Sequence, residues 1–152
     1  MTRKRRLSSG GPYEEIVGYS RAVAAGDFIF VSGCTSIVDG EVAHEGDMAR
    51  QAEQAILIAG EALAGLGASL ADVVQTRLYV TDISRWPEAA QAHKLAFGDV
   101  APAATMVQVA ALIDPRLLVE VEIVAHREGA PGVAGDDSGE PAADQFRLDD
   151  PA

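Results

Sequence analysis

The stretch "DMARQAEQAILIAGEALAGLGASLADVVQTRLYVTD", residues 47–82, changes its apolar period partway along, and that change sets the fold class. From Asp47 to Leu66, Ala52, Ala55, Ile56, Ala59, Leu63 and Leu66 recur at three- and four-residue spacing. Glu53 and Glu61 fall off that stripe, so the pattern predicts a helix with one apolar face. Gly67 stands where a C-terminal helix cap belongs. From Leu70 to Asp82 the period drops to two and Val, Thr and Tyr come forward, which predicts a strand. A capped helix running straight into a half-buried strand is the signature of layered α and β structure.

Outward from this stretch the same reasoning supplies the other elements. Ser84 is the expected cap of a second helix, with Pro87 in its first turn and its end near Phe97. Two more strands are predicted around 104–111 and 117–126. Upstream, "DFIFVSG" (27–33) reads as a strand after the turn signal Ala-Gly-Asp, and Asp39-Gly40 marks a tight hairpin. The order predicts an α+β domain with two helices packed on one face of a mixed β-sheet. The other face then has to bury Val107, Val109, Val119 and Val121, or their neighbours, with no element left to cover them. A further copy of the chain is the expected cover, so the protein should be an oligomer.

Composition sets the boundaries. Across 152 residues, 12 basic and 23 acidic groups give a net charge of -11, which argues against a nucleic-acid backbone as partner. The basic groups Arg3, Lys4, Arg5 and Arg6 crowd the start, and residues 1–11 are expected to be a flexible basic N-terminus. The start resembles the n-region of a secretory signal, but "LSSGGPYEE" follows it instead of an apolar run. From about 129 the text becomes "GAPGVAGDDSGEPAADQFRLDDPA", with no apolar period, and 129–152 is expected to be a disordered acidic tail. The folded domain is thus placed at 12–128. No apolar run approaches the roughly 18 residues that span a bilayer, so no membrane partner is expected. A lone cysteine, Cys34, excludes an internal disulfide and suits a reducing cytoplasm.

The combination of "GYSRAV", "FVSGC", "GASLADVVQTRLYVTDISRW", "APAATMVQV" and "LVEVEIVA" resembles the Rid family, also called the YjgF family, of reactive imine and enamine deaminases. The resemblance covers Gly18 to Ala125. It implies a chorismate-mutase-like fold assembled as a homotrimer, a small-molecule cleft between adjacent subunits, and chemistry that uses no metal and no organic cofactor. It implies that Glu120 holds the attacking water. Tyr19, the Ser32-Gly33 pair and Cys34 would line the cleft, with Ala104, Thr105 and Met106 from the late strand. The arginine that clamps a substrate carboxylate in the family's Pro-Ala-Arg motif is replaced here, where the text reads Pro102-Ala103-Ala104. A methyl group cannot form the bidentate pair, so the chain resembles the branch without that arginine.

Two other cations stand near the motif residues. Arg21 follows Tyr19 by two positions and Arg77 sits in the apolar strand, so either is a possible substitute anion anchor; pairing with the acidic body is the plainer alternative. Glu122 shares a strand face with Glu120 and is expected to be a paired structural carboxylate. Cys34 reads as a small buried thiol, and His44, His93 and His126 have no metal-ligand spacing. The expected function is hydrolysis of a small imine or enamine without need of a 2-carboxylate. The alternatives are a non-catalytic metabolite-binding trimer and a holdase-like interaction protein.

Overall fold

The computed structural model describes residues 4–128. Eleven main elements follow in chain order: β1 (Lys4–Leu7), α1 (Pro12–Val17), β2 (Ala22–Ala25), β3 (Phe28–Cys34), β4 (Ile37–Val38), β5 (Glu41–Val42), α2 (Met48–Gly65), β6 (Val73–Val80), α3 (Trp86–Phe97), β7 (Ala103–Gln108) and β8 (Val119–His126). Six strands form one sheet in the order β1-β2-β3-β8-β6-β7, and β4-β5 is a separate hairpin. All neighbours in the large sheet are antiparallel except β6 and β7, which run parallel on either side of α3. The fold is α+β with a mixed sheet, as the period change across 47–82 predicts.

The helices α2 and α3 cover one face of the sheet. Their apolar stripes, with Ala52, Ala55, Ala59, Leu63, Ala89 and Phe97 buried, meet Ile29, Val31, Leu78, Val121 and Ile123 in a single core. Small alanines on α2 let its axis approach the sheet closely. Asp47 caps α2 by accepting the Arg50 backbone N–H at 3.0 Å. Gly67 follows it with φ +83°, the left-handed conformation expected just past a helix end. Asp39 and Gly40 both take positive φ, as a tight hairpin turn requires.

Several expectations are corrected. Residues 4–7 are not a flexible terminus: they pair with β2 as the edge strand of the sheet. Alternation explains it, because Leu7 turns inward against α2 while Lys4 and Arg6 face out. Charged side chains on an edge strand also discourage further pairing. The segment 12–17, expected only as the start of the domain, forms the short helix α1. Residues 70–72 form a 3-10 turn ahead of β6. Ser84 does not cap α3; the Asp82 carboxylate accepts from Ser84 N–H and Oγ–H and starts a 3-10 turn, and α3 begins at Trp86. The strand expected over 104–111 stops at Gln108, and 109–118 is a loop. Val119 and Val121 lie on the helix-covered face, fully buried. The uncovered face carries Val107, as expected, together with Phe28, Phe30 and Val74, each between two-fifths and half exposed. The acidic stretch 129–152 lies outside the described residues.

Candidate functional site

The strand β8 alternates strictly between buried and half-buried residues, which sends Glu120 and Glu122 away from the helices. Opposite them β3 is bulged: Val31 pairs with Ile123, but Cys34 pairs with Val121, so Ser32 and Gly33 together oppose Glu122. The Glu120 carboxylate lies on the bulge. A Cβ placed on Gly33 would stand 1.8 Å from Glu120 Oε1, so no residue but glycine leaves room for the carboxylate there.

Arg21 ties the bulge to the residues before β2. Its Nη1 donates to the Gly33 carbonyl at 2.7 Å and the Ser32 carbonyl at 3.3 Å, and reaches Cys34 Sγ at 3.3 Å. Its Nη2 donates to Tyr19 Oη at 3.1 Å, with the guanidinium 5.6 Å from the centre of the Tyr19 ring. Ser32 Oγ donates to the Ser20 carbonyl at 2.7 Å, closing the same web.

The two glutamates are held differently. Glu122 accepts a 2.6 Å hydrogen bond from Tyr79 Oη, with Arg77 Nη1 at 3.6 Å. Among the described residues nothing donates to Glu120. Burial pushes its carboxyl above the usual range, Arg21 opposes that rise, and the charge of Glu122 adds to it. The hydrogen bond to Glu122 is the main cause raising the Tyr79 phenol, with burial second. Burial pushes the Cys34 thiol up against the pull of Arg21, so this is a protonated, buried side chain and a poor nucleophile.

Two cavities meet at Gly33, Glu120 and Glu122. The smaller, about 360 Å³, is walled by Tyr79, Val109, Ala111 and Leu112. The larger, about 1000 Å³, takes in Tyr19, Arg21, Ser32, Cys34 and the Asp114–Arg116 pair. The structure therefore assembles Glu120, Tyr19, Arg21, Ser32, Gly33 and Cys34. It does not bring Ala104, Thr105 and Met106 to the same place within one chain. Those residues lie on the edge strand β7, in register with Thr76, Arg77 and Leu78. Met106 packs on the core and lines neither cavity. Arg77 is spent on Glu122 and exposed.

Sequence reasoning missed four contributors. Tyr79 follows Arg77 by two positions in a period-two strand, a signal that was available. The 109–112 wall falls largely within the strand predicted over 104–111, which hides it as a loop. Glu14 gave no sequence signal: it accepts from Ser8 Oγ at 2.6 Å, Ser9 N–H at 3.0 Å and Ser9 Oγ, and holds the 8–11 loop at the larger cavity. Those serine bonds outweigh burial and keep its carboxyl below the usual range. Gln51 does the same for the other wall, donating to the Arg116 carbonyl at 3.0 Å and accepting from Leu118 N–H at 2.8 Å.

The histidines stand apart. His93 bonds Thr76 Oγ1 at 2.8 Å, and His126 packs edge-on to Phe28. Among the described residues no group of three or more His, Cys, Asp or Glu could hold a metal ion.

A family model described as endoribonuclease L-PSP matches residues 12–127. The chain belongs to this family, the YjgF/Rid family. A crystal structure of a YjgF/YER057c/UK114 family member from Mycobacterium tuberculosis is 47% identical, with a TM-score of 0.75 over 82% of this chain and 99% of that one. An uncharacterized protein of Streptomyces coelicolor is 39% identical over 81% of this chain and 92% of its own length. A RutC family protein of Pyrococcus abyssi is 34% identical over 72% of this chain and 87% of its own. Gly33 and Glu120 stand at the junction of the two cavities described above. Among the described residues no helix is long and apolar enough to cross a membrane.

Proposed function

We propose that this YjgF/Rid protein is a cytoplasmic homotrimer that hydrolyses a small imine or enamine whose reacting carbon carries no adjacent carboxylate. The observation that carries the reading is Glu120: a half-buried carboxylate with a raised pKa and no hydrogen-bond donor among the described residues, laid on Gly33 where two cavities join. A carboxylate so placed accepts a proton from a bound water as that water adds to the C=N carbon. That proton passes to nitrogen to give a carbinolamine, the new hydroxyl gives up its proton to the nitrogen as the C–N bond breaks, and a carbonyl compound and ammonia leave. No redox partner or metal is needed for that balance.

The exposed face with Phe28, Phe30, Val74 and Val107 supports association into a trimer. In that assembly the edge strand β7 carries Ala104, Thr105 and Met106 to a neighbour's cleft. With Ala at 104 that strand brings no guanidinium to a substrate carboxylate. The net charge of -11 argues against RNA as substrate.

Ammonia release from 2-iminopropionate and from a neutral imine of similar size tests the reading. The neutral imine should turn over, 2-iminopropionate should turn over weakly, and Glu120→Gln should abolish both. Ala104→Arg should raise activity on 2-iminopropionate by roughly ten- to a hundredfold, the worth of a charge-assisted pair. Ligand binding with no turnover of either compound would favour the metabolite-binding alternative, which the loss of the clamp motivates.

A further inference from the structure

We propose that Arg21 is the positioning residue of the cleft, fixing the Ser32–Gly33 bulge against Tyr19 and thereby the seat of Glu120. This rests on the reading of Glu120 as the water-holding base, and it assigns Arg21 a role other than the anion anchor its sequence position suggests. A carboxylate clamp needs two parallel donors on one edge of the guanidinium. Here Nη1 is taken by the Gly33 and Ser32 carbonyls and by Cys34 Sγ, and Nη2 is shared with Tyr19. With Nη1 engaged on the two backbone carbonyls, that nitrogen is not free to serve as one of the two parallel donors.

The bonds explain why the bulge needs a cation. A bulge interrupts the ladder and strips carbonyls of their strand partners. Arg21 serves two consecutive ones, Ser32 and Gly33, and its fork holds them in one geometry as a single ammonium would not. The Gly33 backbone so fixed is the surface under Glu120. Charge follows from the same placement. The groups facing Glu120 are Arg21 ahead of β2, Cys34 on β3, Tyr79 on β6, Glu122 on β8 and the Asp114–Arg116 pair of the loop. Asp114 and Arg116 satisfy each other. Arg77 on β6 is turned to Glu122 at 3.6 Å, and among the described residues Arg21 is the cation that opposes the rise of the Glu120 carboxyl.

Two variants of the full chain test the proposal, Arg21→Gln and Arg21→Lys, each read by NMR titration of the Glu120 carboxyl carbon and by imine turnover. In Arg21→Gln the titration should move upward, because the opposing charge is gone. Turnover should fall about a hundredfold, the cost of a misplaced catalytic group. In Arg21→Lys the charge remains, so the titration should stay near that of the unaltered protein while turnover still falls, because one ammonium cannot bridge both carbonyls and Tyr19. An unmoved titration in Arg21→Gln overturns the proposal whatever happens to turnover. Full turnover in both variants overturns it as well. If the unaltered protein hydrolyses no imine, the proposed function fails, and the titration alone still decides the role of Arg21. Should Arg21→Gln fail to fold, Arg21→Lys together with Tyr19→Phe carries the test. Each keeps the cation, so in each the titration should hold near its original position while turnover drops.

Discussion

One strand, β8, shows the two halves of this molecule side by side. On its helix-facing side Val119, Val121, Ile123 and Ala125 are all at most 1% exposed. On its other side Glu120, Glu122, Val124 and His126 are half-buried. The first set is interchangeable apolar volume, and its job is done once it is dry. The second set carries charge, keeps a carboxylate short of donors and faces a surface that α2 and α3 leave uncovered. The difference teaches that fold and chemistry here share a backbone but not a face, so substitutions one residue apart should fail in different ways.

The largest contrast should come from truncating each face. Ile123→Ala should cost about 2–4 kcal/mol of stability, the usual sum of lost burial and residual cavity, at any protein concentration. Phe30→Asp, on the opposite face, should leave each chain folded but reduce the assembled mass from the proposed three copies to one. Denaturation at two protein concentrations, with light scattering, separates them. A concentration-dependent loss in Ile123→Ala, or a trimer that survives Phe30→Asp, would break the division of faces.

A sharper contrast lies at the bulge. Gly33→Ala adds one methyl group at a point 1.8 Å from Glu120 Oε1. The methyl must push the carboxylate aside into the neighbouring cavity, so the effect falls on where Glu120 sits more than on stability. Ile29→Val, on the core side of the same strand, trims buried volume and leaves the Glu120 seat untouched. Turnover should therefore collapse in Gly33→Ala and persist in Ile29→Val. Equal turnover in the two would show that Glu120 does not act from its seat on the bulge.

The fold was legible wherever burial imposes a period. The stripe of alanines and leucines over 47–66 and the alternation over 73–80 are direct imprints of a helix and a strand on a dry surface. The site was legible only through the resemblance, and in part. Glu120, Ser32 and Gly33 came from motif matching, because no periodicity distinguishes a catalytic carboxylate from a solvated one. Arg21 came forward as a cation without its role, since the bulge that consumes its donors arises from register between β3 and β8. Lys4–Leu7 misleads because three charges outweigh one leucine in any composition window, while edge pairing asks only for backbone and one inward side chain. Glu14 and Gln51 were silent for a related reason: their partners are backbone groups of loops that adopt their paths only when the sheet is complete.

The smallest effect tests the cost of keeping Glu120 where it is. Its carboxyl titrates above the usual range because burial disfavours the charge more than Arg21 favours it. Between the unfolded value, about 4.3, and the higher folded value, the native chain holds a proton that the unfolded chain has released. Stability therefore falls as pH rises through that window, and above it the folded protein carries an unfavourable charge. Glu120→Gln keeps the shape and removes the charge. At pH 7 the variant should melt higher than the unaltered protein, by on the order of 1–2 °C given a half-exposed, solvent-screened group. Below about pH 4, where both forms are neutral, the two curves should converge. The gain in stability should come with complete loss of imine turnover, as expected where a site holds a charge that the fold alone would discard. A variant that melts lower at pH 7 would mean that the attraction of Arg21 exceeds the burial cost, making Glu120 and Arg21 a stabilising pair and removing the energetic reason to read this carboxylate as poised for a water.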